Sequence, residues 1–195
     1  AIGATFNNGN GYHAGHVRVY KNIEGVWTQI GSDIEGETGG DESGVSVSLS
    51  SNGNIMAIGA NDNDGSGLNS SGHVRVYENL AGVWTQIGDD IAGETAGDQS
   101  GFSTSLSSDG SIVAIGAYGN DENGFNSGHT RIYKNIAGAW TQIGSDIDGE
   151  AASDNSGYSV SLSSDGSIVS IGAFGNEDGA PYGFGWGHVR VYDLS

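Results

Sequence analysis

Gly72-His73-Val74-Arg75-Val76-Tyr77 is the stretch that decides the fold. In an extended chain Val74 and Val76 fall on one face, and His73, Arg75 and Tyr77 on the other. The same pattern stands at Gly15-His16-Val17-Arg18-Val19-Tyr20, Gly128-His129-Thr130-Arg131-Ile132-Tyr133 and Gly187-His188-Val189-Arg190-Val191-Tyr192. The histidine steps are 57, 56 and 59 residues, and Trp27, Trp84 and Trp140, each within Trp-Thr-Gln-Ile-Gly, repeat at 57 and 56. The chain is therefore a series of units of about 57 residues.

Each unit reads as four strands. In the second unit the first is Gly44–Leu49, where Val45, Val47 and Leu49 alternate with serine. A hairpin at Ser51-Asn52-Gly53 leads to the second, Ile55–Ala60, and later copies turn through Asp109-Gly110 and Asp165-Gly166. Asn-Gly and Asp-Gly suit tight hairpins because they tolerate positive φ. A polar loop from Asn61 leads to the third strand, His73–Tyr77, and Ala81-Gly82 to the fourth, Val83–Ile87. An acidic connection, Asp90–Ser100, opens the next unit. Four short antiparallel strands per unit predict an all-β chain of β-propeller blades, about three and a half of them. A β-solenoid is the alternative, but its coils run about 20–29 residues.

Composition agrees. The 195 residues include 36 glycines, one proline and no cysteine, and no glycine-free run exceeds nine residues. An ordinary helix would have to hold an interior glycine, at a cost of close to 1 kcal/mol. Without cysteine no disulfide framework exists. Six basic against 24 acidic residues give a formal charge of −18, which repels nucleic acid and anionic membranes. No stretch approaches the ~18 apolar residues of a membrane span.

Ser156-Gly157-Tyr158-Ser159-Val160-Ser161-Leu162, followed by Asp165–Ala173 and Gly187–Tyr192, resembles an FG-GAP repeat, the blade motif of the integrin α-subunit propeller and of secreted bacterial repeat proteins. The resemblance runs copy by copy along the chain. It implies a seven-bladed extracellular propeller serving adhesion or ligand binding. The first hairpin lacks the Asp-x-Asp-x-Asp loop that carries calcium in integrin-type blades.

Ala1-Ile2-Gly3-Ala4 aligns with Ala57-Ile58-Gly59-Ala60, and Ser195 follows a third strand. We expect a single repeat domain of a partial blade 1–43, blades 44–100 and 101–156, and a partial blade 157–195. It would belong to a longer chain or be completed by copies of itself, in a ring or a filament.

Arg18, Arg75, Arg131 and Arg190 read either as an anion site or as repeated ion pairs and backbone clamps between blades. His16, His73, His129 and His188 read as metal ligands or as structural hydrogen-bonding groups, one per unit. Together with Trp27, Trp84 and Trp140 they form the structural repeat. Glu37/Asp41, Glu94/Asp98 and Glu150/Asp154 recur in the acidic connections and, with Asp62 and Asp64 in the Asn61–Gly65 loop, are the candidate calcium ligands. Capping of backbone amides is the other reading of these acids. Asn69-Ser70-Ser71 is a glycosylation sequon. Tyr182, Phe184 and Trp186, on the non-repeating loop of the last unit, are the candidate contact for a ligand or another subunit.

No nucleophile elbow, phosphate loop or zinc motif is present. The expectation is a non-enzymatic, secreted structural or adhesive propeller that assembles with itself, with calcium as the candidate cofactor. The alternative is a glycan- or protein-binding, lectin-like module.

Overall fold

The computed structural model describes residues 1–177 and 185–195. The chain is all-β, built from several small antiparallel sheets, and the only helix among the described residues is the single 3₁₀ turn Gly65–Gly67. No helix among them is long and apolar enough to cross a membrane.

One five-stranded sheet shows the local logic. Ser46–Leu49 pairs with Ile55–Ala60, and Ile55–Ala60 with His73–Leu80. The far edge of His73–Leu80 is shared. Its first residues pair with Ile91–Ala92 (Val74 opposite Ile91), and its last with Val83–Gln86 (Tyr77 opposite Gln86). The same arrangement recurs with Ser103–Leu106, Ile112–Ala117, His129–Ile136, Ala139–Gln142 and Ile147–Asp148. Before these sheets lie Ile2–Ala4, His16–Arg18 and Ile34–Glu35, with a hairpin of Tyr20–Ile23 and Val26–Gln29; after them lie Ser156–Leu162, Ile168–Ala173 and His188–Asp193.

Two features go beyond the sequence reading. The third strand runs on to Leu80, because the Ala81-Gly82 hairpin carries the pairing outward; Ala81 there adopts φ 54° and Gly82 φ 91°. The acidic connection also contributes a two-residue strand, Ile91–Ala92, which passivates the open edge beside His73 and Val74.

The sheets stack face to face, and alternation supplies the glue. Val17, Val19 and Ile34 pack on Met56, Ile58 and Tyr77. Ala57, Val74, Val76 and Ile91, on the opposite face of that second sheet, pack on Leu106, Val113, Ile115 and Tyr133. Ala114 and Ile132 then meet Val169 and Ile171. Each central strand is thus buried on both faces, which is why Ile-x-Ala-Ile-Gly-Ala reads as a near-continuous apolar run.

Serine joins neighbouring first strands. The Ser46 hydroxyl donates to the Gly101 carbonyl (2.7 Å) and Ser103 to Gly157 (2.7 Å), while Ser48 and Ser105 accept from the Leu106 and Leu162 amides (2.9 and 3.0 Å). At this seam a Cβ on Gly59 would stand 1.9 Å from the Gly101 carbonyl oxygen, and one on Gly116 2.0 Å from that of Gly157. Close backbone approach, not a positive φ, is what demands glycine in Ile-Gly-Ala. Farther out, the indoles of Trp84 and Trp140 donate to the Ile30 and Ile87 carbonyls of the preceding unit (3.1 and 2.9 Å).

Candidate functional site

His73 opens its strand, so its ring is fixed by ladder pairing on both sides and lies 2 % exposed between two sheets. Its Nδ1 stands 3.5 Å from Asp90 of its own unit and 3.9 Å from Glu37, which reaches over from the preceding connection. Burial is the largest cause that lowers its pKa, to about 4, against the raising effect of Asp90, so the ring is neutral at pH 7. Asp90 accepts from Gln86 Nε2 (2.7 Å). The Glu37 carboxyl is pushed above its ordinary value, first by burial, while Arg75 at 3.6 Å opposes the shift.

These three side chains line an open cleft of about 750 Å³, together with Thr38, Asn63, Asp64, Gly65 and Gln86. Donor atoms of Glu37, His73 and Asp90 lie within 4.8 Å of one another, as do those of His16, Asp33 and Glu35, and those of Glu94, Glu122, His129 and Asp146. Each of these groups has a spacing that could hold a cation.

The repeated arginines bridge units. Arg75 Nη2 donates to the Glu35 carbonyl and Arg131 Nη2 to that of Ala92, both at 2.8 Å, and Arg190 Nη2 to that of Asp148. Their other terminal nitrogens face Glu37, Glu94 and Glu150 at 3.6, 3.2 and 3.6 Å. Arg18 instead makes a bidentate pair with Asp33, which with Gln29 holds that carboxyl down to about 2.

The structure separates the acids that the sequence paired. Asp41, Asp98 and Asp154 are buried and accept from backbone amides of their own connections: Glu37 and Thr38, Glu94 and Thr95, Glu150 and Ala151. Asn120 and Asn176 donate to Asp98 and Asp154 as well (3.2 Å each). The partner glutamates Glu37, Glu94 and Glu150 point away, to the His–Arg strand of the next unit. Asp64 accepts from the Ser70 amide (2.8 Å), and Asp62 from the Asn61 and Gln99 side chains. Asn69 is exposed on the loop after the 3₁₀ turn. Tyr182 and Phe184 lie outside the described residues; Trp186 is exposed. Trp27, unlike Trp84 and Trp140, is 69 % exposed.

Two groupings escaped sequence reasoning. One is the addition of Asp33, Asp90 and Asp146 to the histidines, signalled only by their fixed place before each connection. The other is a ladder of Phe102, Tyr118, Tyr158 and Phe174, with neighbouring ring centroids 4.6–5.6 Å apart. Its members replace smaller residues of earlier units, and only sheet stacking brings them together.

No known family profile matches the chain, and no curated protein matches it. Its structure is similar to that of the periplasmic gluconolactonase of Pseudomonas aeruginosa, with TM-score 0.55 and 15 % identity over 90 % of this chain and 45 % of the other. It is also similar to a protein of Bacteroides uniformis assigned as a 6-phosphogluconolactonase, with TM-score 0.54 and 13 % identity over 92 % and 49 %. The chain spans about half the length of these structures, and identity this low shows a shared fold alone.

These findings correct the sequence-based expectations. The FG-GAP assignment is overturned, because the shared fold is that of lactonase structures. The Ser156–Leu162, Asp165–Ala173 and Gly187–Tyr192 stretches carry the alternation that paired antiparallel strands require. The reading as a non-enzymatic structural, adhesive or filament-forming protein, with a lectin-like module as its alternative, falls with it. That reading took the fold for a scaffold, whereas the structures sharing the fold are named as enzymes.

Proposed function

We propose that this chain is part of a β-propeller hydrolase that opens an uncharged sugar lactone, with the Glu37–His73–Asp90 cleft as its substrate site. The observation that carries this reading is that cleft, a polar hollow of about 750 Å³ in which a neutral buried histidine stands between two carboxylates. The likeness to lactonase structures supports it. The stacked sheets are read as propeller blades, the rest of the ring being supplied by further chain or by another copy. A location outside the cytoplasm follows the same reading, in line with the periplasmic neighbour.

Ring opening needs a base, charge compensation and product release. A water placed against Glu37 gives up a proton to its carboxylate as the oxygen bonds to the lactone carbonyl carbon. Burial makes Glu37 a stronger base than an ordinary carboxylate. Arg75, 3.6 Å from Glu37, is the nearest cation and offsets charge developing on the carbonyl oxygen. The ring C–O bond then breaks and Glu37 returns the proton to the leaving alkoxide. His73, neutral and held by its strand, positions both carboxylates. The new carboxylic acid loses its remaining proton to solvent, and the resulting aldonate anion is expelled by an acidic surface of −18, while the neutral lactone enters freely. In each of the three histidine–carboxylate groups, a histidine nitrogen among carboxylates favours a borderline cation over calcium, which prefers oxygen alone.

The test is hydrolysis of glucono-1,5-lactone, followed by acid release over the spontaneous rate. Glu37→Gln should lower kcat by roughly 10²–10⁴. No rate above background, or full activity in Glu37→Gln, would overturn the assignment.

A further inference from the structure

The loop before each His–Arg strand starts from equivalent asparagines. The amides of Asn7, Asn63 and Asn120 donate to the Ala4, Ala60 and Ala117 carbonyls, and their carbonyls accept from Gly15, Gly72 and Gly128. Two residues on, the positions hold Gly9, Gly65 and Glu122. That position faces the carboxylate–histidine group, since a Cβ on Gly9 would stand 2.9 Å from Glu35 Oε2, and Gly65 lines the open cleft at His73. The third unit alone of these three places a carboxylate there.

We propose that Glu94, Glu122, His129 and Asp146 bind one divalent cation of the zinc–cobalt class. One donor atom from each side chain lies within 4.8 Å of the others. His129 is 0 % exposed and neither ring nitrogen has a hydrogen-bond partner, Nδ1 standing 3.5 Å from Asp146. A ligand would satisfy this otherwise orphaned buried group. Three carboxylates against Arg131, 3.2 Å from Glu94, leave two negative charges to neutralise (−3 + 1 = −2).

One imidazole and three carboxylates suit a borderline cation at about 2.0–2.2 Å, which sets donors about 3.4 Å apart. The exposed Glu94 and Glu122 can close that distance by rotamer change, and they form the solvent side through which an ion enters. His129 forms the buried floor. The site lies one unit along from the proposed lactone cleft and does not depend on it.

The test is titration of the metal-free protein with Co²⁺ and Zn²⁺, read by calorimetry and by cobalt d–d absorption. We expect a site that gives the intense visible bands of a four-coordinate ion and is displaced by Zn²⁺. Glu122→Gly, which installs the residue of the two preceding units, should weaken binding tenfold or more with an unchanged far-UV spectrum; Glu122→Gln should do the same, and Asp62→Asn should leave binding unaltered. Absence of binding at millimolar metal, or parent-like affinity in both Glu122→Gly and Glu122→Gln, would overturn the proposal.

Discussion

Replacing Gly116 with alanine should cost far more than strand propensity suggests. By propensity, alanine in a strand interior is better than glycine by about 0.5–1 kcal/mol. In the structure the new Cβ would lie 2.0 Å from the Gly157 carbonyl oxygen and 2.4 Å from Ser103 Oγ. Ordinary van der Waals contact begins at 3.4 Å, so the seam would have to widen by about 1.4 Å (3.4 − 2.0). That movement breaks both the Ser103–Gly157 hydrogen bond of 2.7 Å and the Leu162–Ser105 bond of 3.0 Å. Overpacking costs about 1–3 kcal/mol and each lost hydrogen bond about 1 kcal/mol, for a sum of about 3–5 kcal/mol. For a chain of this size the melting temperature should fall by roughly 6–20 °C. Urea unfolding followed by far-UV circular dichroism measures the change. The control is Gly138→Ala, where nothing lies within 4 Å of the added carbon and only the strain at φ +92° is incurred, about 1 kcal/mol. If Gly116→Ala lies within 1 kcal/mol of the parent, or costs no more than Gly138→Ala, the seam is not the tight contact described.

Three further outcomes are expected. Trp84→Phe and Trp140→Phe each remove an indole hydrogen bond to the preceding unit and should destabilise by about 1–2 kcal/mol, whereas Trp27→Phe, at an exposed position, should stay within about 0.5 kcal/mol in the same urea assay. His73 should titrate at about 4 in an NMR pH series instead of at 6.5. Its folded value is depressed, so the unfolded chain binds the proton first; the associated stability is present above pH 6.5 and is lost as pH falls toward 4, and His73→Gln should remove that part of the slope. Ala81→Asn should stabilise by about 0.5–1 kcal/mol, because Ala81 sits at φ 54°, where asparagine is tolerated and alanine strained; calorimetric melting would show it, and a lower melting temperature would contradict the turn geometry.

Much of the fold was legible because its causes are local. Val74 and Val76 alternate with Arg75, and a strand follows; Asn52-Gly53 and Asp109-Gly110 admit tight hairpins, and the strands there reverse. Ile91–Ala92 was missed because two residues carry no periodicity, and the strand exists only through its pairing with His73 and Val74. At the candidate site the participants were all conspicuous, but their partners were not. Glu37 and Asp41 sit four residues apart and read as one ligand pair, yet Asp41 is 2 % exposed and taken up by amides of its own loop, while Glu37 reaches Arg75 and His73. The aromatic ladder was equally invisible, since Phe102 and Tyr158 become neighbours only when their sheets stack.

The sequence by itself determined the all-β class, the period near 57 residues and the apolar face of each strand, because backbone alternation and turn chemistry act over a few residues. Only the tertiary structure decided which carboxylate stands beside which histidine, that Gly65 lines the open cleft at His73, and that Glu122 stands beside Glu94, His129 and Asp146. Those contacts join segments from successive units across a sheet-to-sheet gap whose spacing is set by Ile-Gly-Ala glycines and buried aliphatics, and that gap is a property of packing rather than of any local run of residues.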